Sequence, residues 1–321
     1  AIDEIEREQR VTYAPLQREA VELAAEEGLL ILTGGPGTGK TTSVRAILTL
    51  FERMGLDVLL AAPTGRAAKR LGEGTGRKAA TVHRMLEAQA DKEGHAVFMR
   101  DEDSPLEADV IILDEVSMMD IVLMQHFLAA VPRGCHVILV GDVDQLPSVG
   151  PGTVLADILR SKMFPSVRLT DIFRQAGESL IVRNAHAVNA GRMPDFTAGN
   201  AFEFREIASE EETAEAIVAL CRDELAAEGI DALRDVQVLS PMHKQECGTE
   251  SLNKLLQQAL NPPAPHKPEF KNSVQTFRLG DKVMQIKNNY QKRVFNGDIG
   301  YIVQMEPGKA SVKYADRKSV V

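Results

Sequence analysis

Leu29-Leu30-Ile31-Leu32-Thr33-Gly34-Gly35-Pro36-Gly37-Thr38-Gly39-Lys40-Thr41-Thr42 carries an apolar run straight into a glycine-rich turn that closes on Lys-Thr. The run reads as a buried strand. The spacing of Gly34, Gly39, Lys40 and Thr41 is G-x-x-x-x-G-K-[ST], a loop whose backbone N–H groups converge on phosphate oxygens. Val44, Ile47, Leu48 and Phe51 then recur at i, i+3, i+4 and i+7, the apolar stripe of a helix whose N-terminal dipole favours the same negative charge. Strand, loop and helix imply a nucleoside-triphosphate site in an α/β fold. Gly35, Pro36, Gly37, Thr38, Gly39 and Thr42 are expected to cradle the phosphates, Lys40 to reach the β- and γ-phosphates, and Thr41 to ligate magnesium.

Working outward, residues 58–61, 110–113 and 137–140 are short apolar runs without polar alternation, as in strands buried on both faces. Helical patterns such as 118–130 lie between them, so a central parallel sheet flanked by helices is expected. Ligands in such folds bind beyond the carboxyl ends of the strands. Residues 89–107 turn polar around Ala96-Val97-Phe98-Met99, which reads equally as a β-hairpin insertion or a loop. A second α/β unit is expected near Asp235, with a strand over 236–239 and a helix carrying Leu252, Leu255, Leu256 and Ala259. Proline-rich residues 262–268 then read as a rigid linker, and runs at 283–286, 300–304 and 312–314 as strands of a small barrel.

At 321 residues the chain is long enough for two domains, or three if one is small. No apolar run approaches a membrane span and no leader opens the chain, so a soluble, cytoplasmic protein is expected. Ala1 in place of Met, and Val320-Val321 within a strand-like run, read as cut ends. Cys135, Cys221 and Cys247 are widely separated, which implies neither a disulfide framework nor a zinc site. A net charge of -9 argues against coating nucleic acid by bulk charge. Yet Arg66, Lys69, Arg70, Arg77, Lys78, His83 and Arg84 cluster against Glu73 alone, either a local basic groove or a solvated helix face.

Two further strand ends carry chemistry. Asp114-Glu115 follows Val110-Ile111-Ile112-Leu113, and successive residues of a strand point to opposite faces. Asp114 is expected to hold magnesium and Glu115 to polarise the water that attacks the γ-phosphate. After residues 137–140 comes Gly141-Asp142-Val143-Asp144-Gln145, where Gln145, able both to donate and to accept, suits a γ-phosphate sensor. Arg174 is either an arginine finger or a surface ion pair.

Together these segments resemble the superfamily 1 DNA helicases, specifically the RecD-like type that acts apart from RecB and RecC subunits, over nearly the whole chain. In that likeness residues 12–17 match the Q motif, with Gln17 reading adenine, and 34–42 match motif I. Residues 62–68 match motif Ia and 81–86 motif Ib, which implies that Pro63, Thr64, Arg66, Thr81 and His83 contact single-stranded DNA. Asp114-Glu115 corresponds to motif II, Gly141-Asp142 with Gln145 to motif III, and Phe173-Arg174-Gln175 to motif IV.

The resemblance implies two RecA-like domains, the first over 1–170 with a pin-like insertion at 89–107, the second beginning over 171–261, and an incomplete linker and β-barrel insertion over 262–321. ATP and Mg2+ would bind between the two lobes, with Lys40, Glu115, Gln145 and Arg174 catalytic. The implied activity is ATP-driven translocation on single-stranded DNA, 5′ to 3′, in repair or recombination, by a monomer that meets duplex–single-strand junctions and no membrane. Two later family motifs are absent from the sequence, which fits a chain lacking its C-terminal part. Phe98 and Tyr290 are candidate base-stacking rings, with core packing as the alternative for each. The alternative from another class is a P-loop switch or loader ATPase acting on protein partners without translocation.

Overall fold

Alternate residues of each apolar strand face opposite ways, and this divides the core in two. In the computed structural model, which describes residues 1–90, 96–171, 179–196, 202–271, 275–287, 289, 292, 294, 296–306 and 309–314, Leu30, Leu32, Val110, Ile112, Ile138 and Val140 pack on one side of a sheet. Ile31, Ile111, Leu113, Val137 and Leu139 pack on the other.

The chain forms two units, Ala1–Glu203 and Phe204–Val321. The first holds α1 (Ile2–Gln9), α2 (Pro15–Glu26), β1 (Leu29–Gly34), α3 (Lys40–Arg53), β2 (Val58–Ala62), α4 (Gly65–Thr75), β3 (Ala79–Thr81), α5 (Val82–Met85), β4 (Gln89–Ala90), β5 (Ala96–Val97), β6 (Val110–Leu113), α6 (Ile121–Ala130), β7 (His136–Gly141), α7 (Val154–Ser161) and β8 (Ser166–Leu169), with a further helix over Leu180–Asn189. Six of these strands form one sheet in the order β3-β2-β6-β7-β1-β8. Every pair in it is parallel, so all carboxyl ends share one edge.

The expected stripe of α3 is buried, with Phe51 and Ile47 fully covered, Val44 1% and Leu48 4% exposed. Each such side chain contributes about 1.5–3 kcal/mol by leaving water. On the opposite face Phe127 and Met124 of α6 cover the sheet. The helix expected over 118–130 begins only at Ile121. Val116–Met118 instead forms a short 3-10 turn, and the Asp120 carboxylate caps α6 by accepting the Leu123 N–H at 2.7 Å. At 89–107 the hairpin alternative holds, since β4 and β5 pair antiparallel, Gln89 with Val97 and Ala90 with Ala96.

In the second unit a helix over Glu210–Ala219 runs through a π-helical stretch, Leu220–Glu224, that buries Cys221, and a later helix spans Thr249–Leu260. The strand expected over 236–239 is absent from this described stretch. A lone strand leaves its backbone groups without a ladder, and here the Val236 carbonyl accepts from Lys282 Nζ at 2.7 Å instead. Where strands of a small barrel are expected, Lys282–Met284, Ile299–Glu306 and Lys309–Tyr314 pair as a three-stranded antiparallel sheet. The buried Asp281 carboxylate ties it to the preceding helix, accepting from Asn261 Nδ2 at 2.7 Å and Gln257 Nε2 at 2.6 Å. No described helix is long and apolar enough to cross a membrane.

Candidate functional site

The parallel register puts the segments that follow β1, β2, β3, β6 and β7 at the same edge of the sheet. The loop after β1 is closely packed. Gly37 and Gly39 adopt left-handed backbone angles of 76° and 82°, which only glycine takes without strain. Buried Thr38 donates through Oγ1 to the Gly35 carbonyl at 2.8 Å. Lys40, the first residue of α3, folds back so that Nζ donates to the Gly34 and Gly35 carbonyls at 2.6 and 3.1 Å. The lysine therefore already points along the inner face of the loop where phosphate oxygens would replace those carbonyls. Thr41 and Thr42 follow in the first turn of α3.

Gln17 lies on α2 and is buried to 1%. Its Oε1 accepts the Ala14 N–H at 3.0 Å and its Nε2 donates to the Gly39 carbonyl at 3.3 Å. The side chain is thereby locked against the α3 end of the loop, with one amide hydrogen and one lone pair still available.

Beyond β6, Asp114 donates its own N–H to the Ala61 carbonyl at 2.9 Å, joining the end of β6 to β2. Burial raises the Asp114 pKa above the ordinary carboxylate value, opposed by the Glu115 N–H and by Lys40. Burial also raises Glu115, the Asp114 and Asp142 carboxylates adding to it and Lys40 opposing. Glu115 Oε2 is buried with no hydrogen-bond partner among the described residues. Asp142, 2% exposed at the end of β7, accepts the Asp144 N–H at 3.1 Å and lies 3.4 Å from Gln145 Nε2. Gln145 is thus brought beside the phosphate loop, on the flank formed by Pro36 and Asp142. Arg174 lies outside the described residues.

Thr41 hydroxyl and Asp114 carboxylate are hard oxygen donors, the type Mg2+ takes when substrate phosphates complete its shell. No group of three or more His, Cys, Asp or Glu side chains among the described residues assembles a metal site without such phosphates.

The ends of β2 and β3 carry the residues expected on DNA. Thr64 Oγ1 accepts the Ala67 N–H at 3.2 Å and caps α4, and Thr81 Oγ1 accepts the Arg84 N–H at 3.2 Å and caps α5. Each hydroxyl keeps its own hydrogen free to donate, although Thr81 is 4% exposed. Pro63 precedes Thr64 at the edge, and Arg66 is exposed in the first turn of α4. Within the basic run Arg77 is committed elsewhere, its Nε and Nη2 meeting the Glu52 carboxylate at 2.5 and 2.9 Å. His83 faces Phe98 with ring centroids 5.8 Å apart, and Phe98 faces His126 at 4.5 Å. Phe98 is half-buried between the two imidazoles, and desolvation lowers the His83 pKa against the pull of Asp120. Tyr290 lies outside the described residues.

One element was not expected at this edge. The helix Leu180–Asn189 brings His186 against the loop, where a Cβ added to Gly35 would lie 2.9 Å from His186 Cε1. No local pattern around Asn184-Ala185-His186 marks it as part of a site.

Comparison with known proteins places these features in context. The profile of an AAA domain family matches residues 17–151, and that of the ATP-dependent RecD-like DNA helicase SH3 domain matches 252–314. The chain is 40% identical to the ATP-dependent RecD2 DNA helicase of Deinococcus radiodurans, over 93% of this chain and 39% of that one. It is 31% identical to the RecBCD enzyme subunit RecD of Mycolicibacterium smegmatis, over 92% of this chain and 58% of that one. The chain thus spans only part of the length of these relatives. The crystal structure of Bacteroides Pif1 bound to ssDNA superposes with a TM-score of 0.53 at 18% identity, covering 97% of this chain and 74% of that one. The Pif1 helicase from Candida albicans gives 0.53 at 19%, over 95% and 75%. At these identities the structures speak for a shared fold.

Proposed function

Because the chain belongs to the RecD-like family of superfamily 1 helicases, we propose that its parallel sheet is the engine of an ATP-driven motor that moves 5′ to 3′ along single-stranded DNA and opens duplex junctions in repair or recombination. The observation that carries this reading is the common edge. Phosphate loop, acidic pair and Gln145 follow β1, β6 and β7, while the capped ends of α4 and α5 follow the neighbouring β2 and β3.

In this reading the loop N–H groups of Gly35, Gly37, Thr38 and Gly39, with Pro36 shaping the turn, and the Lys40 ammonium bind the triphosphate, with Thr42 beside them in α3 and Gln17 at the adenine end. Thr41 and Asp114 hold Mg2+, which when bound neutralises charge on the phosphates. Glu115 takes a proton from the attacking water, a role its unpartnered Oε2 and burial-raised pKa suit. Gln145 senses the terminal phosphate through Asp142, and Arg174 supplies positive charge to the transferring group. Pro63, Thr64, Arg66, Thr81 and His83 hold one strand. The link Asp114 N–H to Ala61 O joins the acidic pair to β2, whose end leads directly into Pro63 and Thr64. A shift at one end is thereby felt at the other.

The deciding measurement is ATP hydrolysis with and without single-stranded oligonucleotide. Strong stimulation by the oligonucleotide supports the motor. Hydrolysis indifferent to DNA overturns it in favour of a switch or loader ATPase acting on protein partners.

A further inference from the structure

His186 and Asn189, from the helix Leu180–Asn189, line a cleft of about 210 Å³ with Pro36, Asp142 and Gln145. Several polar groups around it bond within the protein. Thr38 and Lys40 bond the loop carbonyls, and Asp142 bonds the Asp144 N–H. Of the buried side-chain nitrogens and oxygens on this wall, His186 Nε2 has no hydrogen-bond partner among the described residues. A buried imidazole nitrogen without a partner is costly unless something else supplies one. Its ring is held against Gly35, where any side chain would collide with Cε1 at 2.9 Å.

The position along the loop indicates which ligand atom it meets. Gln17, the expected adenine reader, contacts Gly39 at the α3 end of the loop. A triphosphate bound there runs away from Gln17 toward Gly35 and Pro36, so its last phosphate reaches the His186 wall. We propose that His186 is a nucleotide-binding residue that donates from Nε2 to the terminal phosphate of a bound nucleoside triphosphate and thereby distinguishes triphosphate from diphosphate. This rests on the reading of the loop as the nucleotide site and assigns to that site a group from outside the β1, β6 and β7 strand ends.

The test is equilibrium binding of a non-hydrolysable ATP analogue and of ADP, each with Mg2+, to the wild-type chain and to His186→Ala, His186→Gln and Lys40→Ala. Expected for His186→Ala is a loss of analogue affinity of about ten- to a hundredfold, the scale of one hydrogen bond to a charged group, with ADP affinity within about twofold. His186→Gln, which keeps an N–H donor, recovers part of the loss. Equal weakening of both ligands, the mark of a residue that merely props Gly35, overturns the proposal, as does no change in either. If Lys40→Ala abolishes binding while His186→Ala does nothing, only the His186 assignment fails. If the wild-type chain binds neither nucleotide, the loop reading fails with it.

Discussion

Asp114 Oδ1 accepts the backbone N–H of Glu115 at 2.9 Å, and Glu115 itself sits in the left-handed region with φ 54°. That conformation costs a residue with a Cβ on the order of 1–2 kcal/mol. Such strain persists only where the surroundings over-determine it, and it gathers at reacting centres. Here the two carboxylates divide their environments. One oxygen of Asp114 is spent on holding its neighbour, whereas Glu115 Oε2 is buried and unpartnered.

Glu115→Gln tests the division of labour. The amide keeps the volume and the backbone bond to Asp114 but accepts no proton. Turnover is expected to fall by about 10²–10⁴, the range of general-base contributions, with ATP affinity within about threefold. Near-normal turnover in a DNA-stimulated assay would remove Glu115 from the role of base.

Asp114→Asn follows from the pKa direction. Burial raises the Asp114 pKa above 3.8, so between the unfolded value and the raised native value the folded chain holds the proton more tightly than the unfolded one. Stability from this group is then greatest below that window and falls as pH rises through it. Replacing the acid with a neutral amide is expected to raise the nucleotide-free melting temperature at pH 7–8 by a few degrees, about what 1 kcal/mol does in a unit of roughly 200 residues. The gap should narrow as pH is lowered into the window between the two values, and the variant should lose the extra stabilisation that Mg2+ adds to ATP binding. A variant that melts lower than wild type at pH 8 contradicts the sign.

Arg66 and Arg77 both belong to the basic run, yet their surroundings differ. Arg77 is gripped by Glu52 at 2.5 and 2.9 Å, whereas Arg66 is exposed beside the Thr64 cap. Arg66→Ala is expected to weaken oligonucleotide binding and to lower the slope of log K against log salt by about 0.7, one single-strand phosphate contact. Arg77→Ala should leave the slope unchanged within error. Fluorescence anisotropy at several salt concentrations reads both.

Much of this was legible in the sequence because the motifs are local. Loop and acidic pair each lie within a few residues, and the period-two division of the strands follows from the pleat, whereas the caps that Thr64 and Thr81 supply to α4 and α5 emerge only in the structure. Strand order and the role of Asp120 were not, since the break before α6 depends on a carboxylate choosing an N–H three residues on. The strand expected over 236–239 failed for the opposite reason, because a run of branched apolar residues becomes a strand only where a partner edge exists. His186 was invisible because what makes it part of the site is its distance from Gly35, and the two are far apart in sequence.

Gly28 precedes β1 and Gly34 ends it, and the two should respond in opposite ways to the same substitution. A Cβ at Gly28 meets nothing within 4 Å, and the residue is exposed with no left-handed backbone angle, so Gly28→Ala mainly reduces the freedom of the unfolded chain. It is expected to stabilise by about 0.4–1 kcal/mol. A Cβ at Gly34 would lie 2.6 Å from Thr38 Oγ1 and 2.9 Å from the Leu169 carbonyl. The hydroxyl could turn, but the carbonyl cannot retreat without breaking the pairing of Gly34 with Leu169 in the β1–β8 ladder. Gly34→Ala therefore forces the loop away from β8, at about 1–3 kcal/mol for overpacking, and moves the carbonyl that Lys40 now contacts at 2.6 Å. Nucleotide affinity should fall with stability in this variant and be unaffected in Gly28→Ala. Thermal melts and ATP-analogue titrations of the pair check this, and a Gly34→Ala chain that melts and binds as wild type would show that β8 does not brace the phosphate loop.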